Sequence, residues 1–301
     1  LIAVPTETVY GLAGNGLDEK AVAEIYEVKG RPEVKPLSLM VHDAASMERY
    51  CENVPPQAHT LAKKFWPGPL TMVLPRSERV PLTTTGGMDT VAVRMPSHPV
   101  ARAVIRAAGV PLAAPSANRS GSPSPTSYRH CIDDLWGLVD AIVESDDCTV
   151  GVESTVLSFL PDGTPQILRP GAVTPEEIRR LCGEVSVSDA VLHMLPQDAA
   201  APSPGMKYKH YAPAATLTLL CGSREEYAAR VNEYYETLRE SGEEDGFYAM
   251  CFDEDVSLLE APTISYGMAY NYSSQAQNLF DVLRQLDKLQ ATEGYVHAPE
   301  P

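Results

Sequence analysis

Short apolar or alternating runs are followed, again and again along this chain, by runs in which the apolar residues recur at helical spacing. Residues 1–4 form an apolar run of strand length, and beyond Asp18, a good helix cap, Ala21, Ile25 and Val28 keep helical spacing until Lys29-Gly30 ends the segment. The same reading predicts strands at 37–41, 70–74, 90–95 and 112–114, and helices at 44–50, 56–65 and 99–108. Within 90–95 a period of two sends Thr90, Ala92 and Arg94 to one face and Val91 and Val93 to the other. A helix is expected at 128–135, strands at 141–144, 154–159 and 165–168, and a helix at 175–181 with Thr174 as cap and Pro175 in its first turn.

From about 183 to 213 the periodicity gives way to Pro196, Pro202, Pro204, Gly205 and an alanine run, the composition of a linker. Beyond it, strands at 216–220, 246–251 and 263–266 and helices at 224–239 and 275–289 form a smaller β-α-β-type set. This alternation favours an α/β layer architecture. The expected organisation is a larger α/β domain over 1–183, a linker over 184–213 and a small acidic α/β domain over 214–301.

Composition narrows the function classes. A chain of 301 residues is long for one core and natural for two, and 44% hydrophobic with 21% charged residues is ordinary for a water-exposed globular protein. No run approaches the roughly 18 apolar residues of a membrane span. A net charge of −16 argues against wholesale binding of nucleic acid, which needs a surplus of Lys and Arg. Residues 215–301 hold five Lys/Arg against 16 Asp/Glu, net −11, so residues 1–214 carry net −5. The basic residues of the first part cluster near a few motifs, which suits a small anionic ligand. Six single cysteines without a C-x-x-C pair read as reduced thiols, a cytosolic pattern, and the seven histidines include no metal-binding pair, so no metal site is expected. The abrupt start at Leu1, with no initiator Met or signal-peptide pattern, reads as a piece of a longer chain.

The candidate chemistry lies in dispersed runs. Lys29, Arg31 and Lys35 fall within seven residues after a helix, stiffened by Pro32 and Pro36, so that at least two can converge on one anion. Ser116, Asn118, Ser120, Gly121, Ser122 and Ser124 follow an apolar strand, where a Gly/Ser loop can cradle phosphate oxygens. Arg94 is a charge inside a strand of small and apolar residues, with Thr90 on its face, an arrangement that suits a polar pocket. Ser154 and Arg169 could face the same cavity from neighbouring strands. Neither G-x-G-x-x-G, a P-loop nor G-x-S-x-G is present. The segment 203–213, with Lys207, Tyr208, Lys209, His210 and Tyr211, is too rich in rings and charge for a plain spacer and reads as a lid over the first-domain pocket.

The stretches Pro5–Leu12 (PTETVYGL), KGRP with KPL (29–37), FWPGPLT (65–71), VAVRMP (91–96), PSANRSG (115–121), ESTV (153–156), LRPG (168–171) and SPGMKYKHYAP (203–213) resemble, in order, the YrdC-like family in its two-domain L-threonylcarbamoyladenylate synthase form. The resemblance implies a YrdC-like twisted mixed-sheet domain with an open pocket and a smaller Rossmann-like α/β C-terminal domain. It implies a cytoplasmic nucleotidyltransferase that makes threonylcarbamoyl-AMP and pyrophosphate from L-threonine, bicarbonate and ATP, with Mg²⁺ on the triphosphate. That is the first step towards t6A37 in tRNA, and a downstream threonylcarbamoyl transferase machinery would take the product. Carried over from the family, threonine would be held by Thr8, Arg94, the backbone at Ala114, and Ser154. ATP would be held by Arg31, Lys35, Thr90, Ser116, Asn118, Ser124, Arg169 and Tyr211, with Lys29 and Arg31 in catalytic roles. Met40 stands where the family often has His, and Lys35 where it often has Asn, which leaves open whether Met40 contacts threonine. Relatives continue past Pro301 with a Gly-rich turn and a helix, so the C-terminal domain is expected to be truncated.

Two other readings compete. A non-catalytic nucleotide- or RNA-binding module with a protein-docking C-terminal domain would use the same pocket. A carbamoyl-transfer domain of a larger hydrogenase-maturation protein would bring zinc-finger-like cysteine pairs, which this sequence lacks.

Overall fold

Ten strands of the first part pair into one mixed sheet: β1 (Ile2–Val4), β2 (Gly11–Asn15), β3 (Ser38–Met40), β4 (Leu70–Pro75), β5 (Thr90–Arg94), β6 (Leu112–Ala113), β7 (Ala141–Ile142), β8 (Thr155–Phe159), β9 (Pro165–Arg169) and β10 (Ser186–Val187). The structure, a computed structural model, describes residues 1–30, 35–192 and 212–299. The sheet order is β10-β9-β8-β4-β5-β3-β6-β2-β1-β7. The described residues form two compact units, one of 1–120 with 124–192 and one of 212–299 with Gly121–Pro123.

Seven helices accompany the first sheet: α1 (Glu19–Lys29), α2 (Ser46–Tyr50), α3 (Pro56–Phe65), α4 (Pro99–Ala108), α5 (Tyr128–Leu135), α6 (Pro175–Cys182) and α7 (Asp189–Leu192). Local chemistry sets several of their ends. Asp18 accepts from the Lys20 N–H at the start of α1, Gly30 closes it in the left-handed conformation, and Thr174 and Glu177 make a capping box on α6.

The two faces of the sheet differ. Leu12, Leu39, Leu70, Met72, Leu74, Val91, Val93, Leu157 and Ile167 point to one side and meet Val22 and Ile25 of α1, Leu61 of α3, Leu135 of α5 and Ile178 of α6 in the main core. On the other side apolar packing is broken in two. Val4, Ala13, Met40 and Leu112 meet Ile105 of α4, while Val73, Ala92, Val156 and Leu168 form a separate small cluster. Polar side chains occupy the boundary.

The second unit holds β11 (Thr216–Leu220), β12 (Phe247–Cys251), β13 (Thr263–Ser265) and β14 (Glu293–His297), all parallel, in the order β11-β14-β12-β13, with α8 (Arg224–Ser241) and α9 (Tyr272–Lys288). Ser223 and Glu226 make a capping box on α8. Tyr227, Val231 and Leu238 of α8 pack on Phe247, Ala249 and Cys251.

Strands β10, β2 and β14 and helix α7 differ from the sequence reading. The stretch expected to be linker from 184 begins with β10, which pairs parallel to β9, and with α7. A two-residue edge strand carries too little periodicity to show in sequence. Strand β2 runs through Gly11 and Gly14, and β14 through Gly294, where glycine dilutes the strand signal. At Gly294 a Cβ would stand 2.7 Å from the Tyr248 carbonyl oxygen, so the centre of this sheet has room only for glycine.

Candidate functional site

The polar boundary is built around Arg94, the last residue of β5. In register it lies between Met40 of β3 and Thr71 of β4. As the alternation in 90–95 predicts, Arg94 shares its face with Ala92, away from the main core that takes Val91 and Val93. Its Nε donates to the Gly68 carbonyl (3.3 Å), its Nη1 to Thr8 Oγ1 (2.8 Å) and its Nη2 to Glu7 Oε1 (2.7 Å). A guanidinium has five N–H groups, so one remains on each Nη atom. That pair is what a carboxylate fork requires.

Thr8 and Glu7 come from the connection between β1 and β2, which the Thr6 hydroxyl folds on itself. Thr6 Oγ1 donates to the Val9 carbonyl (2.6 Å), accepts from the Thr8 N–H (3.3 Å) and lies 3.0 Å from Thr8 Oγ1. Glu7 is fixed at both ends: its carbonyl accepts from the Val150 N–H (2.7 Å) and its Oε2 from the Ser97 N–H (3.1 Å). Burial alone would raise the Glu7 carboxyl, but the Arg94 guanidinium and the hydrogen bonds from Arg94 and Ser97 outweigh it and hold the group below its ordinary 4.5.

Ser154 joins the cluster from the residue before β8, its Oγ 2.8 Å from Thr71 Oγ1. Arg169, at the end of β9, reaches it because of a bulge. Val156 is opposite Arg169 while Leu157 is opposite Ile167, so one extra β9 residue is accommodated and Arg169 is re-aimed towards the polar face. Arg169 donates from Nε and Nη2 to the Ser154 carbonyl (3.1 and 2.9 Å) and from Nη2 to Ser154 Oγ (3.2 Å), and its Nη1 pairs with Glu153 Oε2. Glu153 Oε1 accepts from Ser124 Oγ (2.8 Å). Gly171 makes this approach possible, since a Cβ there would lie 2.4 Å from the Thr155 nitrogen.

The Ser116 loop is tied to the Pro5–Leu12 segment. The Leu12 N–H donates to the Pro115 carbonyl, the Ala117 N–H to Tyr10 and the Tyr10 N–H to Pro125, each at 2.8 Å. Lys29, buried at the end of α1, donates from Nζ to the carbonyls of Ser116 and Asn118 (2.6 Å for the latter), and the Ser120 N–H returns to the Lys29 carbonyl (3.0 Å). Lys29 therefore holds the loop in shape. The Ala114 N–H is committed to the Ser38 carbonyl (3.0 Å). Burial pushes the Cys51, Cys148 and Cys251 thiols up to about 12, so none of these three offers a thiolate near neutral pH.

Thr8, Glu7 and Arg94 are thus joined by direct contacts, as are Thr71, Ser154, Arg169, Glu153 and Ser124, and strand pairing sets Thr71 opposite Arg94, while Lys29, Ser116 and Asn118 form a further group beside the Pro5–Leu12 segment. Thr90 stands at the far end of β5, about 13 Å along the strand from Arg94. The Lys35 carbonyl accepts from Tyr26 Oη (2.7 Å). Arg31, Tyr211 and the expected lid from 203 onwards lie outside the described residues, apart from Ala212 and Pro213. Sequence reasoning missed Glu7 and Glu153 as site residues. Each sits in a motif beside a named partner, but nothing in the spacing says which arginine it meets.

A family model described as "Telomere recombination", the Sua5–YciO–YrdC model, matches residues 1–171, and one described as "Threonylcarbamoyl-AMP synthase, C-terminal domain" matches residues 173–300. The threonylcarbamoyl-AMP synthase of Pyrococcus abyssi is 43% identical over 289 residues, covering 96% of this chain and 82% of that protein. The one of Bacillus subtilis is 41% identical over 290 residues, covering 96% and 81%. The crystal structure of P. abyssi Sua5 complexed with L-threonine has a TM-score of 0.89 at 39% identity, covering 100% of this chain and 85% of that one. With two family models and full-length relatives accounting for nearly all of its residues, the chain belongs to the Sua5–YciO–YrdC family in its two-domain threonylcarbamoyl-AMP synthase form.

Proposed function

We propose that this chain makes threonylcarbamoyl-AMP and pyrophosphate from L-threonine, bicarbonate and ATP, as a nucleotidyltransferase serving t6A37 formation in tRNA. The observation that carries the reading is the Arg94 cluster: a guanidinium with one N–H left on each Nη atom, beside the Thr8 and Ser154–Thr71 hydroxyls. This chemistry suits a small amino acid with a carboxylate and a hydroxyl. In this reading Arg94 forks to the threonine carboxylate, and Thr8, Ser154 and the backbone at Ala114 orient its other polar atoms. The amine and bicarbonate condense to a carbamate with loss of water. A carbamate oxygen then attacks the α-phosphorus of ATP, the bond to the β-phosphate bridge oxygen breaks, and pyrophosphate leaves.

The triphosphate falls to Ser116, Asn118, Ser124, Arg169 and Thr90, together with Arg31, Lys35 and Tyr211. Lys29 acts on it through the loop it holds. Positioning and fixed charge do most of the work, since phosphoryl chemistry asks for little covalent help from the protein. Glu7 and Glu153 are both engaged with arginines, and among the described residues no group of three His, Cys, Asp or Glu side chains is placed to hold a metal. These residues do not form a protein cage for Mg²⁺, which would enter with the triphosphate on phosphate oxygens.

The proposed domain division keeps a catalytic domain from residue 1, a lid-bearing connection up to 213 and a C-terminal domain from 214. No helix among the described residues is long and apolar enough to cross a membrane. A cytoplasmic setting, and hand-over of the product to a threonylcarbamoyl transferase acting on tRNA, belong to the same proposal. The alternative of a non-catalytic binding module is not favoured, because the relatives that match over nearly the whole chain bear a synthase's name.

The test is release of pyrophosphate by the purified protein supplied with threonine, bicarbonate and ATP. Release should stop when threonine or bicarbonate is omitted and in Arg94→Ala. Release that ignores threonine would sink the reading.

A further inference from the structure

We propose that Glu7 and Glu153 are positioning residues that divide the pocket between its substrates, Glu7 setting Arg94 for threonine and Glu153 setting Arg169 and Ser124 for the nucleotide. The inference rests on the function proposed above and deepens it. One ion pair is buried and the other half-buried: the side chains of Arg94 and Glu7 are 10% and 7% exposed, and those of Arg169 and Glu153 are 16% and 14% exposed. A buried pair of this kind is often no more stabilising than apolar residues of equal volume. Its contribution lies elsewhere, in holding a long side chain with many rotamers in one orientation.

The wiring of the two carboxylates differs. Glu7 bonds Arg94 Nη2 and the Ser97 N–H, and its own backbone is held by Val150. Together with Gly68 and Thr8 it commits one N–H on each Arg94 nitrogen and thereby aims the remaining two. Glu153 bonds Arg169 Nη1 with one oxygen and the Ser124 hydroxyl with the other, so it couples the arginine of β9 to the Ser-rich loop. Neither carboxylate touches the other's arginine among the hydrogen bonds and ion pairs described. Loss of charge at Glu7 should therefore fall mainly on threonine, and loss at Glu153 mainly on ATP, with a smaller share on threonine through the Arg169–Ser154 contact.

The experiment compares Glu7→Gln and Glu153→Gln, which keep size and an acceptor oxygen but remove the charge. Threonine and ATP binding are measured separately by calorimetry, and the KM for each substrate by pyrophosphate release. Glu7→Gln should weaken threonine roughly tenfold or more and leave ATP within about twofold; Glu153→Gln should weaken ATP roughly tenfold or more with a smaller effect on threonine. Glu7→Asp and Glu153→Asp, which restore the charge on a shorter arm, should recover part of the loss, and they replace the Gln variants if those do not fold. Equal losses for both ligands in both variants, or lower thermal stability with unchanged binding, would overturn the proposal. A wild-type protein that binds both ligands without releasing pyrophosphate would defeat the proposed reaction while the binding arms still judged the two carboxylates. A wild-type protein that bound neither would sink both.

Discussion

Two arginine-centred clusters in this molecule use the same chemical groups to different ends. In the second unit, Asp255 is fully buried and its carboxylate is filled: Oδ1 accepts from Arg224 Nε (3.1 Å), and Oδ2 accepts from the Phe252 N–H (3.0 Å) and lies 2.7 Å from His297 Nδ1. His297 Nε2 is 3.1 Å from the Gly222 carbonyl, and its ring stacks on Tyr227 at 4.4 Å. The cluster ties the ends of β11, β12 and β14 to the start of α8. In the first unit, Arg94 is equally well held, yet it keeps two N–H groups beyond its protein acceptors, next to a row of hydroxyls. Residue type does not separate scaffold from site. What separates them is burial: the Arg94 side chain is 10% exposed where it keeps its donors beside buried hydroxyls, whereas that of Arg224 is 39% exposed and leaves its remaining donors to water.

The strongest way to break this comparison is at the buried arginine. Arg94→Ala should lower threonine-dependent pyrophosphate release by roughly 10²–10³-fold or more; a loss under tenfold would mean that the leftover N–H groups have no ligand. The matching change in the closed cluster is Asp255→Ala. It leaves the buried Phe252 N–H and His297 Nδ1 without their partner and should cost about 1–3 kcal/mol of stability in denaturant unfolding, while the KM values measured on folded protein stay at wild type. A changed threonine KM with intact stability would reverse the roles assigned to the two clusters.

Lys29→Met gives a finer contrast. It removes the cation that gathers the Ser116 and Asn118 carbonyls, so the loop loosens and the KM for ATP should rise by about tenfold. An unchanged KM would show that the loop holds its shape without it. The smallest effect is one of pH. The folded pKa of Glu7 lies below its unfolded value near 4.5, so the pair's contribution is fully present above about pH 4.5 and is lost as pH falls through the lower folded value. The difference in urea midpoint between wild type and Glu7→Gln should therefore hold steady above pH 4.5 and shrink below it. A difference that grew on acidification would contradict the pairing.

Legibility in the sequence followed the range of the signal. Asp18, Thr174 and the alternation through Thr90–Arg94 could be read because caps and periods involve residues a few positions apart. The short β10 and the glycine-bearing β2 and β14 could not, since pairing partners rather than side-chain pattern make them strands. The site was half legible. Arg94, Thr8 and Ser154 could be named from their motifs, and the structure links them through Thr71, which had no role in the reading. Lys29 read as a cation facing a phosphate, whereas its Nζ is turned onto the loop's own carbonyls.

By itself the sequence determined two α/β units, the helix ends and the residue types available for an anionic amino acid and a triphosphate. Tertiary structure alone decided which carboxylate holds which arginine. Glu7 and Arg94 are 87 positions apart and meet because of strand order, and Arg169 meets Glu153 because a bulge in β9 turns it to the polar face. Periodicity is a property of neighbours along the chain, whereas ion-pair geometry depends on register across a ten-stranded sheet, which no local pattern encodes.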